Sequence, residues 1–132
     1  MSTSTGASVE RLVRELFEAV DRLDFETIGR HIADDAQGVD ELSGGWRRGR
    51  AALEEYFRQL EGNVESVESR LGDVEATEWG DAGLVTCVVD QTYRMGGEEQ
   101  RVHAPTSVVC RREGGDWKVV LFHSVPLPEP QG

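Results

Sequence analysis

The chain has 132 residues, and its 25 acidic side chains outnumber 14 basic ones to give a net charge of −11. That length holds one ordinary hydrophobic core, and the negative surface argues against nucleic acid and anionic membranes as partners. No apolar run reaches the roughly eighteen residues of a membrane span and the N-terminus carries no basic and apolar signal pattern, so a cytoplasmic protein is expected.

Residues 1–7 are small and polar and read as a disordered tail, so the domain is expected over residues 8–126, with 127–132 as a C-terminal tail. From Ser8, placed as N-cap, Val9, Leu12, Val13, Leu16, Phe17 and Val20 recur at the spacing of one helix face. Asp24 can cap a second, short helix whose face carries Phe25, Ile28 and Ile32, with Asp34 and Asp35 closing it. Gln37–Leu42 and Trp46–Arg48 flank a Ser43-Gly44-Gly45 turn and predict a short hairpin. Ala52, Leu53, Tyr56, Phe57 and Leu60 mark a third helix that stops before Gly62-Asn63.

Beyond Val64 the helical period disappears. Glycine-rich turns at 80–83, 96–97 and 114–115 divide the remainder into four strand-length pieces, an antiparallel meander ending in Trp117–His123. The runs 84–95 and 101–112 are long for strands, which favours a strongly curved sheet. Pro105 marks a bulge or an unpaired edge position. Cys87 and Cys110 lie in apolar runs with no Cys or His at ligand spacing, so buried free thiols are expected. Helices ahead of a curved sheet bury their stripes most economically if the sheet wraps the first helix, leaving a cone with a cavity.

Three stretches carry a family resemblance. Gly49-Arg50-Ala51-Ala52-Leu53 resembles the glycine-led start of the third helix in the SnoaL-like members of the nuclear transport factor 2-like superfamily. Thr106–Arg112, an acidic-glycine turn and Trp117–Ser124 resemble that superfamily's closing hairpin, particularly in calcium/calmodulin-dependent kinase association domains. Those domains carry another histidine two positions before the last, where this chain has Leu121. The resemblance spans about residues 8–126 and implies an α+β, cone-shaped, cystatin-like fold, with three N-terminal helices packed on a strongly curved, mostly antiparallel sheet. It implies either cofactor-independent isomerase, cyclase or hydratase chemistry on a small apolar molecule, or a non-catalytic module that forms a homodimer through its sheet face.

His123 and Asp90 are the expected catalytic pair. By strand parity His123 shares a face with Trp117, Val119 and Leu121, where an imidazole serves either as acid/base or as a hydrogen-bonded core or interface group. Asp90 is a lone carboxylate in an apolar strand. It either has a raised pKa as a base or is a solvated strand residue, and which face of strand 84–95 looks inward is open. Trp46, Tyr56, Tyr93, Leu121 and Asp40 are the expected pocket lining. In ketosteroid-isomerase-like relatives an early hairpin carboxylate abstracts the proton, and Asp40 or Glu41 occupies the comparable stretch. His31 and His103 have no partner at ligand spacing, so no metal is expected. The chain has no glycine-rich phosphate loop or nucleophile elbow, so no nucleotide cofactor is expected. Lys118 is its single lysine, and such an acidic, lysine-poor surface resembles that of salt-adapted, halophilic proteins.

Overall fold

A computed structural model describes residues 6–127. Two helices, α1 (Ala7–Asp21) and α2 (Phe25–Arg30), precede a hairpin of β1 (Ile32–Val39) and β2 (Arg47–Arg48). Helix α3 (Arg50–Asn63) follows, and then the meander β3 (Val64–Trp79), β4 (Ala82–Met95), β5 (Glu98–Glu113) and β6 (Asp116–Ser124). All six strands form one sheet in the order β2-β1-β6-β5-β4-β3. Every neighbouring pair is antiparallel except β1 with β6, which is parallel. The α+β class and the closing meander agree with the sequence pattern. The third helix follows the first hairpin, as that pattern also has it.

The apolar stripe of α1 is fully buried: Val9, Val13 and Ala19 expose nothing, and Leu12, Leu16 and Phe17 little more. They pack on Val85, Cys87 and Val89 of β4, Val108 and Cys110 of β5 and Val119 of β6. Leu53 of α3 and Ile28 of α2 complete the same core. Both cysteines are buried and free, and burial pushes the thiol of Cys110 up to about 12, so it stays protonated.

Helix α1 begins two residues earlier than expected, and Ser8 is not its cap. Gly6 holds the N-cap position at φ 77° and has no side chain to offer. Glu78, distant in sequence on β3, instead accepts the backbone N–H groups of Ser8 at 3.1 Å and Val9 at 3.4 Å. A buried carboxylate thus satisfies two orphan donors and places negative charge at the positive end of the helix. Gly6 is itself buried, and a Cβ there would run into the backbone of Ala76.

Two other boundaries shift. Ile32, expected on the second helix, opens β1 and pairs with Val119. Asp34 and Asp35 lie in that strand, where Arg50 Nε donates to Asp34 at 2.7 Å and Arg111 donates to both oxygens of Asp35. Pro105 causes no bulge, because β4 and β5 pair without a register shift from Ala82–Arg111 to Met95–Glu98. It sits where β6 has ended at Ser124, and its carbonyl accepts Val125 N–H at 3.0 Å. A missing N–H is tolerated there, where the ladder to β6 has already ended. Gly49 precedes α3 at φ 88°, ψ 161°, a backbone state glycine adopts without strain.

Candidate functional site

A β-bulge decides which residues of β6 reach the interior. Cys110 of β5 opposes Val119, whereas Val109 opposes Leu121, so Val120 is the extra residue. Parity therefore flips along the strand. Trp117 and Val119 face the core, and beyond the bulge Phe122 and Ser124 face inward while Leu121 and His123 turn outward. This corrects the face that simple alternation assigns to Leu121 and His123.

The inward face of β4 is the one with Val85, Cys87, Val89, Gln91 and Tyr93. Asp90 accordingly points to the opposite face, with a side chain 59% exposed, and its partner there is His103 on β5, whose Nδ1 lies 2.5 Å from Asp90 Oδ1. His123 opposes Ser107, four residues along β5 from His103, so Asp90 and His123 are offset by about 13 Å along the strands and by roughly 10 Å, two strand spacings, across them. They form no pair, and neither lines the cavity. Trp46, also outside the cavity, is 44% exposed and stacks on His123 with ring centroids 5.8 Å apart.

The cavity lies between the inner sheet face and the helices, with a volume of about 150 Å³, the size that accommodates one benzene-sized ring. Leu16, Phe17 and Val20 of α1, Leu53, Tyr56, Phe57 and Leu60 of α3, and Val89, Ala104 and Phe122 of the sheet give it an apolar wall. Of the expected lining residues, Tyr56, Tyr93 and Asp40 are there. Polar groups enter from the loop after β1, with Asp40 and Glu41, and from the sheet, with Gln91, Tyr93 and Ser124.

The loop is fixed by its own short polar side chains. Asp40 Oδ1 accepts the N–H groups of Leu42 and Ser43, each at 2.9 Å, and the Tyr56 hydroxyl at 2.6 Å. Ser43, almost wholly buried, donates its hydroxyl to carbonyls of Asp40 and Gly45 and accepts Asp40 N–H. Such an Asx turn pins the backbone on both sides of Glu41. Arg47 lies outside over the Tyr56 ring, 5.4 Å from its centroid, with Nε donating to the Ser43 carbonyl at 3.1 Å.

Within this frame Glu41 has no cationic partner among the described residues. Burial raises its pKa above the ordinary glutamate value, opposed by a hydrogen bond from its own backbone N–H and aided by the neighbouring Asp40 charge. Burial also raises the pKa of Tyr93, with Glu41 and Asp40 adding to the effect. Tyr56 is pushed up strongly, first by burial and then by Asp40. Among the described residues no group of His, Cys, Asp and Glu is arranged to hold a metal ion.

Sequence reasoning reached Glu41 only through the resemblance to isomerases, and it missed Gln91 and Ser124 altogether. Glu41 could have been singled out by its position between an Asp and a Ser three residues apart, the spacing of a turn that holds the intervening residue still.

The SnoaL-like domain family matches residues 9–128 of this chain. Among curated proteins nothing matches significantly. A solved NTF2-like protein of unknown function from Pseudomonas putida is 22% identical, with a TM-score of 0.83 over 99% of this chain and 100% of its own. A Streptomyces avermitilis member of the NTF2-like family, named provisionally as a dehydratase, is 22% identical with a TM-score of 0.84, covering 94% of this chain and 97% of that one. The CaMKII hub of S. rosetta is 18% identical with a TM-score of 0.79, covering 96% and 100%. At such identities the likeness establishes the fold and nothing finer.

Proposed function

This chain belongs to the SnoaL-like domain family, and from that premise we propose that it binds a small apolar molecule in its cavity and carries out cofactor-independent acid/base chemistry on it. Isomerisation, cyclisation and hydration are the reaction classes. The supporting observation is Glu41, a carboxyl group on the wall of an apolar cavity with its pKa raised by burial. A base whose pKa moves toward neutrality transfers protons more efficiently at the working pH. Glu41 replaces the Asp90–His123 pair in this role. Tyr93 supplies a hydroxyl for an oxygen of the substrate, and Tyr56 holds Asp40, and with it the loop, in place. In this reading the sheet curves around α1 as a cone, and the cavity is the cone's interior.

The test is hydrogen–deuterium exchange at the α-carbon of small cyclic ketones in D2O, followed by NMR. The native protein should accelerate exchange and Glu41→Gln should abolish the acceleration. Equal exchange by the two proteins would refute the assignment.

A second reading, compatible with the first, is self-association through the outer sheet face. Leu121, Val109 and Leu84 form one cross-strand row there, next to the exposed Trp46 stacked on His123. Exposed apolar area of this kind is usually covered by a partner, and a similar solved structure is itself named a hub. Light scattering at micromolar concentration should report a dimer, and Trp46→Asp should dissociate it.

A further inference from the structure

We infer that the cavity's preferred ligand is a small apolar amine, held as its ammonium ion by Glu41 and Tyr93. The inference rests on the reading of the cavity as a small-molecule site and specifies its ligand class. Among the described residues lining the cavity the ionisable acids are Asp40 and Glu41, alongside Tyr56 and Tyr93, and there is no Lys, Arg or His. The acids therefore face the cavity with no cation on its wall, Arg47 lying on the outer side of the Tyr56 ring.

The two carboxylates are not equivalent. Asp40 Oδ1 is occupied by three donors, whereas Glu41 has neither a cation nor a side-chain partner among the described residues. A carboxylate helped only by its own backbone N–H in an apolar site is costly and gains from a ligand that brings the missing positive charge. Tyr93 provides a second, independent mark. It is 7% exposed and lines the cavity, and its hydroxyl has no hydrogen-bond partner among the described residues. A phenolic oxygen can accept an N–H, so carboxylate and hydroxyl together offer two acceptors to one ammonium group. Tyr56, Tyr93 and Phe57 also line the cavity, and aromatic rings attract a cation. An anionic ligand would meet two carboxylates in a low-dielectric space and be rejected.

Three probes sharing one ring separate charge from shape: benzylamine, benzyl alcohol and benzoate, titrated into the full chain and followed by calorimetry and NMR. The native protein should bind benzylamine about tenfold or more tightly than benzyl alcohol, the scale of one charge-assisted hydrogen bond, and should not bind benzoate. Glu41→Gln should remove the amine's advantage over the alcohol, and continued binding of the alcohol shows that the variant is folded. Glu99→Gln, which removes the same charge from an exposed site on β5, should alter neither. Amine affinity should rise with pH as Glu41 ionises and fall once the free amine loses its proton, a readout on the native protein independent of any variant.

If amine and alcohol bind alike, or benzoate binds, this inference is overturned while the small-molecule cavity stands. If no probe binds, the cavity reading fails and takes the inference with it.

Discussion

Glu41 couples the cavity to pH through the stability of the fold itself. Below the ordinary glutamate pKa both folded and unfolded chains carry the proton. As pH rises the unfolded chain releases it first, because burial holds the folded pKa higher, so the folded state binds the extra proton and stability falls across that window. Urea unfolding from mildly acid to neutral pH should show the native protein losing stability relative to Glu41→Gln and then levelling off; a constant difference would contradict the buried placement. Tyr56 can be probed in the same way. Tyr56→Phe removes the 2.6 Å hydrogen bond to Asp40 and should lower stability by about 1.5–3 kcal/mol, the range for a bond to a charged acceptor, while loosening the loop that presents Glu41. Tyr56 and Tyr93 were legible as lining residues because aromatic rings on helix stripes and strands seek interiors, whereas Asp40 came only from the resemblance to isomerases. Asp90 misled because a carboxylate in an apolar strand looks buried when only its neighbours on the other face are.

For the elements, period and punctuation were enough where one face alone is apolar. The stripe of α1 and the glycine turns of the meander are such cases, and the structure repeats them. In β6 the signal fails. Val119, Val120, Leu121 and Phe122 are apolar at both parities, so the sequence contains no alternation from which a bulge at Val120 could be read. The bulge makes two adjacent residues differ sharply. Phe122 packs against the core and lies 6.1 Å from the Phe17 ring, so Phe122→Ala should lose about 3 kcal/mol, the lower end of the range because the ring is half-buried. Leu121→Ala should lose less than about 1 kcal/mol from the protomer and act instead on light scattering. Similar losses would mean that the parity does not flip. Helix starts are less visible from sequence when the cap is remote. Glu78→Ala should destabilise by about 1–2 kcal/mol, measurable by thermal unfolding, since it strips α1 of the acceptor for its first N–H groups.

Taken as a whole, the molecule carries a charge of −11, and repulsion of that size opposes compaction until salt screens it. The melting temperature should therefore rise with KCl, more steeply than for a neutral protein of the same size, and indifference to salt would remove the case for a salt-adapted surface. Among the described residues no helix is long and apolar enough to cross a membrane. Beyond charge, the order of the strands in space sets an order in time. The central position between β1 and β5 belongs to β6, the last strand of the chain, and β1 can bond to it only across some eighty intervening residues. Closing so long a loop is among the slower steps of folding. During synthesis α1, β1 and α3 emerge from the ribosome with their apolar faces uncovered, and the wall that Phe122 and Ser124 give the cavity arrives only once β6 has been made. A chain cut short before β6 should resemble a collapsed intermediate that a holding chaperone would recognise. Completion of β6 thereby also decides whether the cavity has its inner wall at all.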